Sequence, residues 1–129
     1  MAAAQDDDVH VLFVEDDPSV AQMYKLKLEL DGYQVHVAAD GEAALKMATE
    51  APPDIIFLDI RLPKLDGLAV LEALRSNERT KHVPVVILSN YSERELVERG
   101  LKLGALEYLI KSQTTPAKLA GGVENWLKG

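Results

Sequence analysis

The 129-residue chain contains no cysteine, which removes disulfides, thiolate nucleophiles and cysteine-bound zinc. Histidine is scarce as well: His10, His36 and His82 are scattered, no two stand at metal-ligand spacing, and each is expected to be structural. No Walker-type glycine loop, G-x-G-x-x-G or G-x-S-x-G elbow occurs, so the usual nucleotide cradles and the strained serine nucleophile are missing. No apolar run approaches the ~20 residues needed to cross a bilayer. The start, Met1 to Asp8, has neither the basic nor the apolar region of a secretory signal. Basic charge is also in deficit: 14 Lys and Arg against 21 Asp and Glu leave a net charge of −7, which repels phosphate backbones. No basic amphipathic helix offers itself to a membrane surface. The expectation is a cytoplasmic protein with no direct nucleic-acid or membrane partner.

With 47% hydrophobic and 27% charged residues, the chain has the composition of a folded globular domain. Residues 1–8, ending in Asp6, Asp7 and Asp8, read as a disordered acidic tail. Residues 9–129 read as one domain. Val9–Val14, Tyr33–Val37, Ile55–Leu58, Val83–Leu88 and Glu107–Ile110 are short apolar runs with the character of buried strands. Helical patterns separate them. Asp17-Pro18 opens the first and Asp31-Gly32 stops it; Asp40-Gly41 opens the second, and Pro52-Pro53 closes it. Leu68, Leu71 and Leu74 mark the third. Ser92 and Glu95 read as a capping box for the fourth, and Pro116–Lys128 is the last, weakened by Gly121-Gly122. Strict alternation predicts a five-stranded parallel sheet of the flavodoxin-like kind, doubly wound in the order 2-1-3-4-5 and flanked by five helices.

Ligands of such sheets bind beyond the carboxyl ends of the strands. There the sequence places Glu15-Asp16-Asp17, Asp59, Ser89 and Lys111. Each alone is an ordinary turn, cap or surface residue; their coincidence at four strand ends is the signal. Two acids suit a hard divalent cation, with Asp16 and Asp59 as direct ligands and Glu15 or Asp17 reaching through water. An aspartate can attack phosphorus, while a lysine and a hydroxyl receive the phosphoryl oxygens.

These segments resemble the receiver domain of two-component response regulators over almost the whole chain. The matching pieces are Val11–Asp17, Asp40–Leu45, Asp54–Asp59, Leu62-Pro63-Lys64-Leu65-Asp66-Gly67 and Tyr108–Lys111. The resemblance implies that Asp59 accepts phosphate from a histidine kinase or a histidine phosphotransfer protein. It implies Mg2+ held by Glu15, Asp16, Asp59 and the backbone carbonyl of Arg61. It further implies catalytic roles for Lys111 and Ser89, a switch formed by Ser89 and Tyr108, and signalling through the fourth helix, last strand and last helix to a downstream effector. On that reading the chain is no enzyme beyond forming and slowly losing its own aspartyl phosphate. It is a monomer or a phosphorylation-dependent dimer, either free-standing or cut from a longer regulator. Relatives carry proline after the lysine, often in a cis peptide; here Ser112 follows, so a trans bond or a strained loop is expected. Asn90 and Arg61 occupy positions that tune phosphate lifetime in relatives.

Two rivals share the fold. An aspartate-nucleophile phosphatase would carry a second aspartate two residues after Asp59, where Arg61 stands. A flavin-binding or non-phosphorylated interaction module meets an acidic rim that disfavours an anionic cofactor.

Overall fold

The computed structural model describes residues 8–128, so residues 1–7 of the expected tail lie outside the described residues. Asp8 is placed, and its carboxylate accepts a hydrogen bond from Gln34 Nε2 at 3.2 Å. The strands are β1 (His10–Val14), β2 (Gln34–Ala38), β3 (Ile55–Leu58), β4 (Val85–Ser89) and β5 (Glu107–Ile110). The helices are α1 (Pro18–Leu30), α2 (Gly41–Glu50), α3 (Gly67–Ser76), α4 (Arg94–Lys102) and α5 (Pro116–Lys128). All neighbouring strands run parallel, in the order β2-β1-β3-β4-β5. The doubly wound sheet read from the sequence is therefore present.

The two faces of the sheet bury different residues. Leu12, Val14, Ile56, Leu58, Val85 and Ile87 point to the side where α2 and α3 supply Ala44, Ala48, Leu71 and Leu74. Val11, Phe13, Ile55, Phe57, Val86 and Leu88 point to the side where Tyr24 and Leu28 of α1 meet Leu119 and Val123 of α5. Both faces being covered explains why the strands read as continuous apolar runs rather than alternating ones.

Local chemistry sets the helix starts. The Asp17 carboxylate accepts from Ser19 N and Val20 N, with Pro18 at the first helical position. Asp40 and Asp66 cap α2 and α3 in the same way, through Ala43 N and Ala69 N. The expected capping box at Ser92 and Glu95 is not formed. The helix begins at Arg94, Glu93 takes the cap position, and no side chain closes it. The fourth strand begins at Val85 rather than Val83, because Pro84 has no N–H to give the ladder. The second is shifted by one residue, to Gln34–Ala38.

Gly67 fixes how α3 meets the sheet. A Cβ on this residue would lie 2.0 Å from the backbone oxygen of Asp59, and the Gly67 N–H donates to Ile60 O at 2.7 Å. The helix start therefore rests directly on the segment carrying Asp59. Gly121 contrasts with it: a Cβ there meets nothing within 4 Å. Gly67→Ala should lower stability by roughly 1–3 kcal/mol through overpacking. Gly121→Ala should raise it by ~0.5–1 kcal/mol, since alanine is the better helix former. Urea unfolding of the two variants checks both signs.

Candidate functional site

The carboxyl ends of the three central strands and β5 converge on one rim. Beyond the last β1–β2 pair, Glu15 N–H donates to Ala38 O at 3.0 Å; beyond β1–β3, Asp59 N–H donates to Val14 O at 3.2 Å. These ladder bonds hold both acids at the sheet edge. Glu15 and Asp59 are 3% and 6% exposed, so two carboxylates are almost withdrawn from water. Such burial requires compensation. Lys111 provides it: Nζ donates to Glu15 Oε1 at 2.6 Å and to Asp59 Oδ2 at 2.8 Å.

Asp16, which is exposed, completes an acidic group in which one oxygen each from Glu15, Asp16 and Asp59 lies within 4.8 Å of the others. Three carboxylates and one ammonium leave an excess of two negative charges. An all-oxygen donor set, open on the Asp16 side, fits a hard divalent cation that keeps several waters. Asp17, the other acid considered for the cation, is committed to capping α1, and its own N–H donates to Glu15 Oε2 at 3.1 Å.

Burial pushes the Glu15 carboxyl above the ordinary range, outweighing the hydrogen bonds from Lys111 and the Asp17 amide. Burial works against the Lys111 charge too, but hydrogen bonds and charge from Asp59 and Glu15 prevail and raise its pKa.

Ser89 ends β4, is fully buried, and its Oγ accepts from Tyr91 N–H at 3.1 Å. Tyr108 lies on β5, and its hydroxyl donates to the Tyr91 carbonyl. Burial raises the Tyr108 phenol, while a hydrogen bond with Ser89 pulls it down. Arg61 N–H donates to Asp59 Oδ1 at 3.4 Å, and its guanidinium lies over the Tyr91 ring, 4.4 Å from the centroid. The structure thus gathers Glu15, Asp16, Asp59 and Lys111 into one group, and ties Ser89, Tyr108 and Arg61 together through Tyr91.

Sequence reasoning missed Tyr91 as this junction. It also missed the bond from Ser112 N to Asn90 Oδ1, 3.0 Å, which the replacement of proline by a residue with an N–H makes available. No peptide bond among the described residues is cis, so Lys111–Ser112 is trans, one of the two outcomes expected. The expectation of scattered histidines fails for one pair. His10 Nδ1 and His36 Nε2 lie 3.4 Å apart, with rings parallel within 3°. Their centroids are 5.7 Å apart, longer than the nitrogen separation by about two ring radii, so the rings meet edge to edge. Parallel pairing of Leu12 with His36 puts both on one face of the sheet, a placement that sequence separation hides. His82 lies apart, in the turn before β4.

A family model, the response regulator receiver domain, matches residues 11–121. The chain belongs to this family. It is 45% identical over 101 residues to the transcriptional regulatory protein PrrA of Mycobacterium tuberculosis, covering 78% of this chain and 42% of that protein. It is 38% identical, with the same two coverages, to the DNA-binding dual master transcriptional regulator RpaA of Synechocystis. The chain thus spans about two-fifths of the length of these curated relatives. Among solved structures it is similar to a putative response regulator from Chloroflexus aurantiacus. That match has a TM-score of 0.87 and 33% identity, and covers 95% of this chain and all of the other. Among the described residues of this receiver domain, no helix is long and apolar enough to cross a membrane.

The sign of the Lys111 shift fixes an alkaline prediction. Its ion pairs stabilise the fold fully below the ordinary lysine value of 10.5, and that contribution is lost as pH rises through the higher folded value. Chemical unfolding at increasing pH should show this loss above 10.5 in the parent. It should be missing in Lys111→Met, which should also be less stable at neutral pH by roughly 1–3 kcal/mol.

Proposed function

We propose that this receiver domain accepts a phosphoryl group on Asp59 in a Mg2+-dependent reaction. The donor is the phosphohistidine of a histidine kinase or a histidine phosphotransfer protein, and the acceptor works in the cytoplasm. The observation that carries this reading is the Lys111 ammonium bridging Glu15 and Asp59 beside Asp16. This reading is supported by a buried carboxylate, an acidic group able to take a divalent cation and an ammonium on a flexible stem, all side by side.

A carboxylate oxygen of Asp59 attacks phosphorus while the P–N bond to the donor imidazole breaks; the electron pair returns to that nitrogen and the ring leaves as neutral imidazole, its other nitrogen already carrying the proton. Mg2+, held by Glu15, Asp16, Asp59 and the Arg61 carbonyl, would neutralise charge on the transferring group. Lys111 keeps its contact with Glu15 and passes its other hydrogen bond from Asp59 to a phosphoryl oxygen. Its flexible stem and three donors permit that exchange. Ser89 turns its hydroxyl from the Tyr91–Tyr108 arrangement to a second phosphoryl oxygen.

Phosphorylation adds about −1.5 to −2 charges and new acceptors. Once Ser89 moves, Tyr108 loses that partner, and the surface of α4, β5 and α5 repacks to change affinity for a downstream effector. Catalysis is confined to forming and slowly hydrolysing the chain's own aspartyl phosphate. Position 61 holds arginine, so no second aspartate stands there to protonate a phosphatase leaving group.

Incubation with acetyl phosphate and Mg2+ should give one base-labile adduct on the parent and none on Asp59→Asn. Asp16→Asn should bind Mg2+ at least ~10-fold more weakly and react more slowly. Intact-mass spectrometry with alkaline hydrolysis reads the first result, and calorimetry the second. An Asp59→Asn protein that still forms the adduct at the parental rate would exclude the acceptor assignment, and rapid turnover of the donor would mark a phosphatase instead.

A further inference from the structure

The segments that continue β4 beyond Ser89 and β5 beyond Ile110 are joined by a hydrogen bond that proline at position 112 would forbid. Lys111–Gln113 forms a short 3-10 turn directly after β5. The first amides of such a turn have no partner within it, so each must find one outside or face water. Ser112 N–H finds the side-chain carbonyl of Asn90, at 3.0 Å. Asn90 follows Ser89 directly, and Ser112 follows Lys111.

A second tie lies one residue further on, where the Tyr91 carbonyl accepts from the Tyr108 hydroxyl. Residues 90 and 91 are therefore fastened to the β5 strand and turn at two points that bracket Lys111 in the chain. The far side of the turn is anchored separately. Thr114 Oγ1 donates to Ile110 O at 2.9 Å, and Thr114 O accepts from the Tyr24 hydroxyl of α1. Without Asn90, that anchor and the β4–β5 pairing of Ser89 with Ile110 remain, but beyond the end of the ladder only the Tyr108 contact still joins the two segments.

We infer that Asn90 is a positioning residue of the phosphoryl site, its side-chain carbonyl coupling the Ser89 loop to the Lys111 loop through the Ser112 amide. This rests on the reading of Asp59 as phosphoacceptor. The reason is geometric. Lys111 reaches Asp59 on a four-carbon stem with many rotamers, so its aim depends on where its backbone stands. Ser89 has a short side chain, so its reach depends wholly on its backbone at the end of β4, next to Asn90. Joining the two backbones keeps both donors in register with the same phosphoryl oxygens. The acidic cluster lies on other loops and does not depend on the bond.

The test compares the parent with Asn90→Ala, Asn90→Asp, Ser112→Pro and the double variant Asn90→Ala/Ser112→Pro. Proton exchange of the Ser112 amide, followed by NMR, reports the bond itself. It should quicken about fivefold in Asn90→Ala, the equivalent of one modest hydrogen bond, and stay slow in Asn90→Asp, which keeps an acceptor. Beryllofluoride, a phosphoryl mimic, reports positioning. Its affinity in Mg2+ should fall about fivefold in Asn90→Ala and in Ser112→Pro, and no further in the double variant, because both changes break one bond. Mg2+ affinity alone should be unchanged throughout, a separation that general loosening of the fold would not produce. Equal exchange and equal beryllofluoride affinity in parent and Asn90→Ala would overturn the inference, as would losses that multiply in the double variant. A parent that takes up no beryllofluoride would overturn the acceptor reading and the positioning role with it, while amide exchange still reported the bond.

Discussion

The rim is organised around one ammonium group. Glu15 and Asp59 are nearly buried, and like charges at close range in a medium less polar than water repel strongly. Lys111 lies within 3 Å of both, at 2.6 and 2.8 Å, and makes their joint burial tolerable. Its single charge answers only part of three carboxylates. The remaining negative charge suits a divalent cation, and the group is open to solvent on the side of the exposed Asp16. The pairs with Lys111 therefore hold the two buried acids together while leaving a net negative charge at the rim. Both properties come from the same ion pairs.

That arrangement depends on topology before it depends on any side chain. Lys111 is separated from Glu15 by 96 positions and from Asp59 by 52. Parallel strands with right-handed helical crossovers bring all strand ends to one edge, and the order β2-β1-β3-β4-β5 sets β1 beside β3 at the centre. The apolar interiors of the strands secure this order, so the cost of gathering charges at the rim is carried by burial on both faces of the sheet. Gly67 adds a local constraint, since only a residue without Cβ lets α3 start against the Asp59 carbonyl.

How much of this was legible from the chain follows from the range of each interaction. Asp17-Pro18, Asp40 and Asp66 announce helix starts because capping acts over two or three residues. The strands announce themselves because full burial leaves uninterrupted apolar runs, and the site acids because they stand immediately after such runs. Ser92 misled for a related reason: the capping pattern matched, but the loop after β4 runs one residue further, and its first two residues, Asn90 and Tyr91, are held by Ser112 and Tyr108. The His10–His36 pair was illegible because it depends on which residues of β1 and β2 stand opposite one another, a register that no local pattern encodes.

Position 112 shows how a departure from a family pattern can be read physically. Proline there would stiffen the turn after Lys111 by restricting its own φ and would offer no donor. Serine relaxes the backbone but supplies an N–H, and Asn90 stands across the gap to accept it. One covalent restraint is thus replaced by a hydrogen bond between two loops. The difference matters for a switch. A ring restrains one loop permanently and independently of its neighbour, whereas a hydrogen bond of modest strength can break and re-form. It also makes the positions of Ser89 and Lys111 depend on each other. Under the proposed mechanism, movement at the Ser89 hydroxyl would be passed to the aim of the Lys111 side chain.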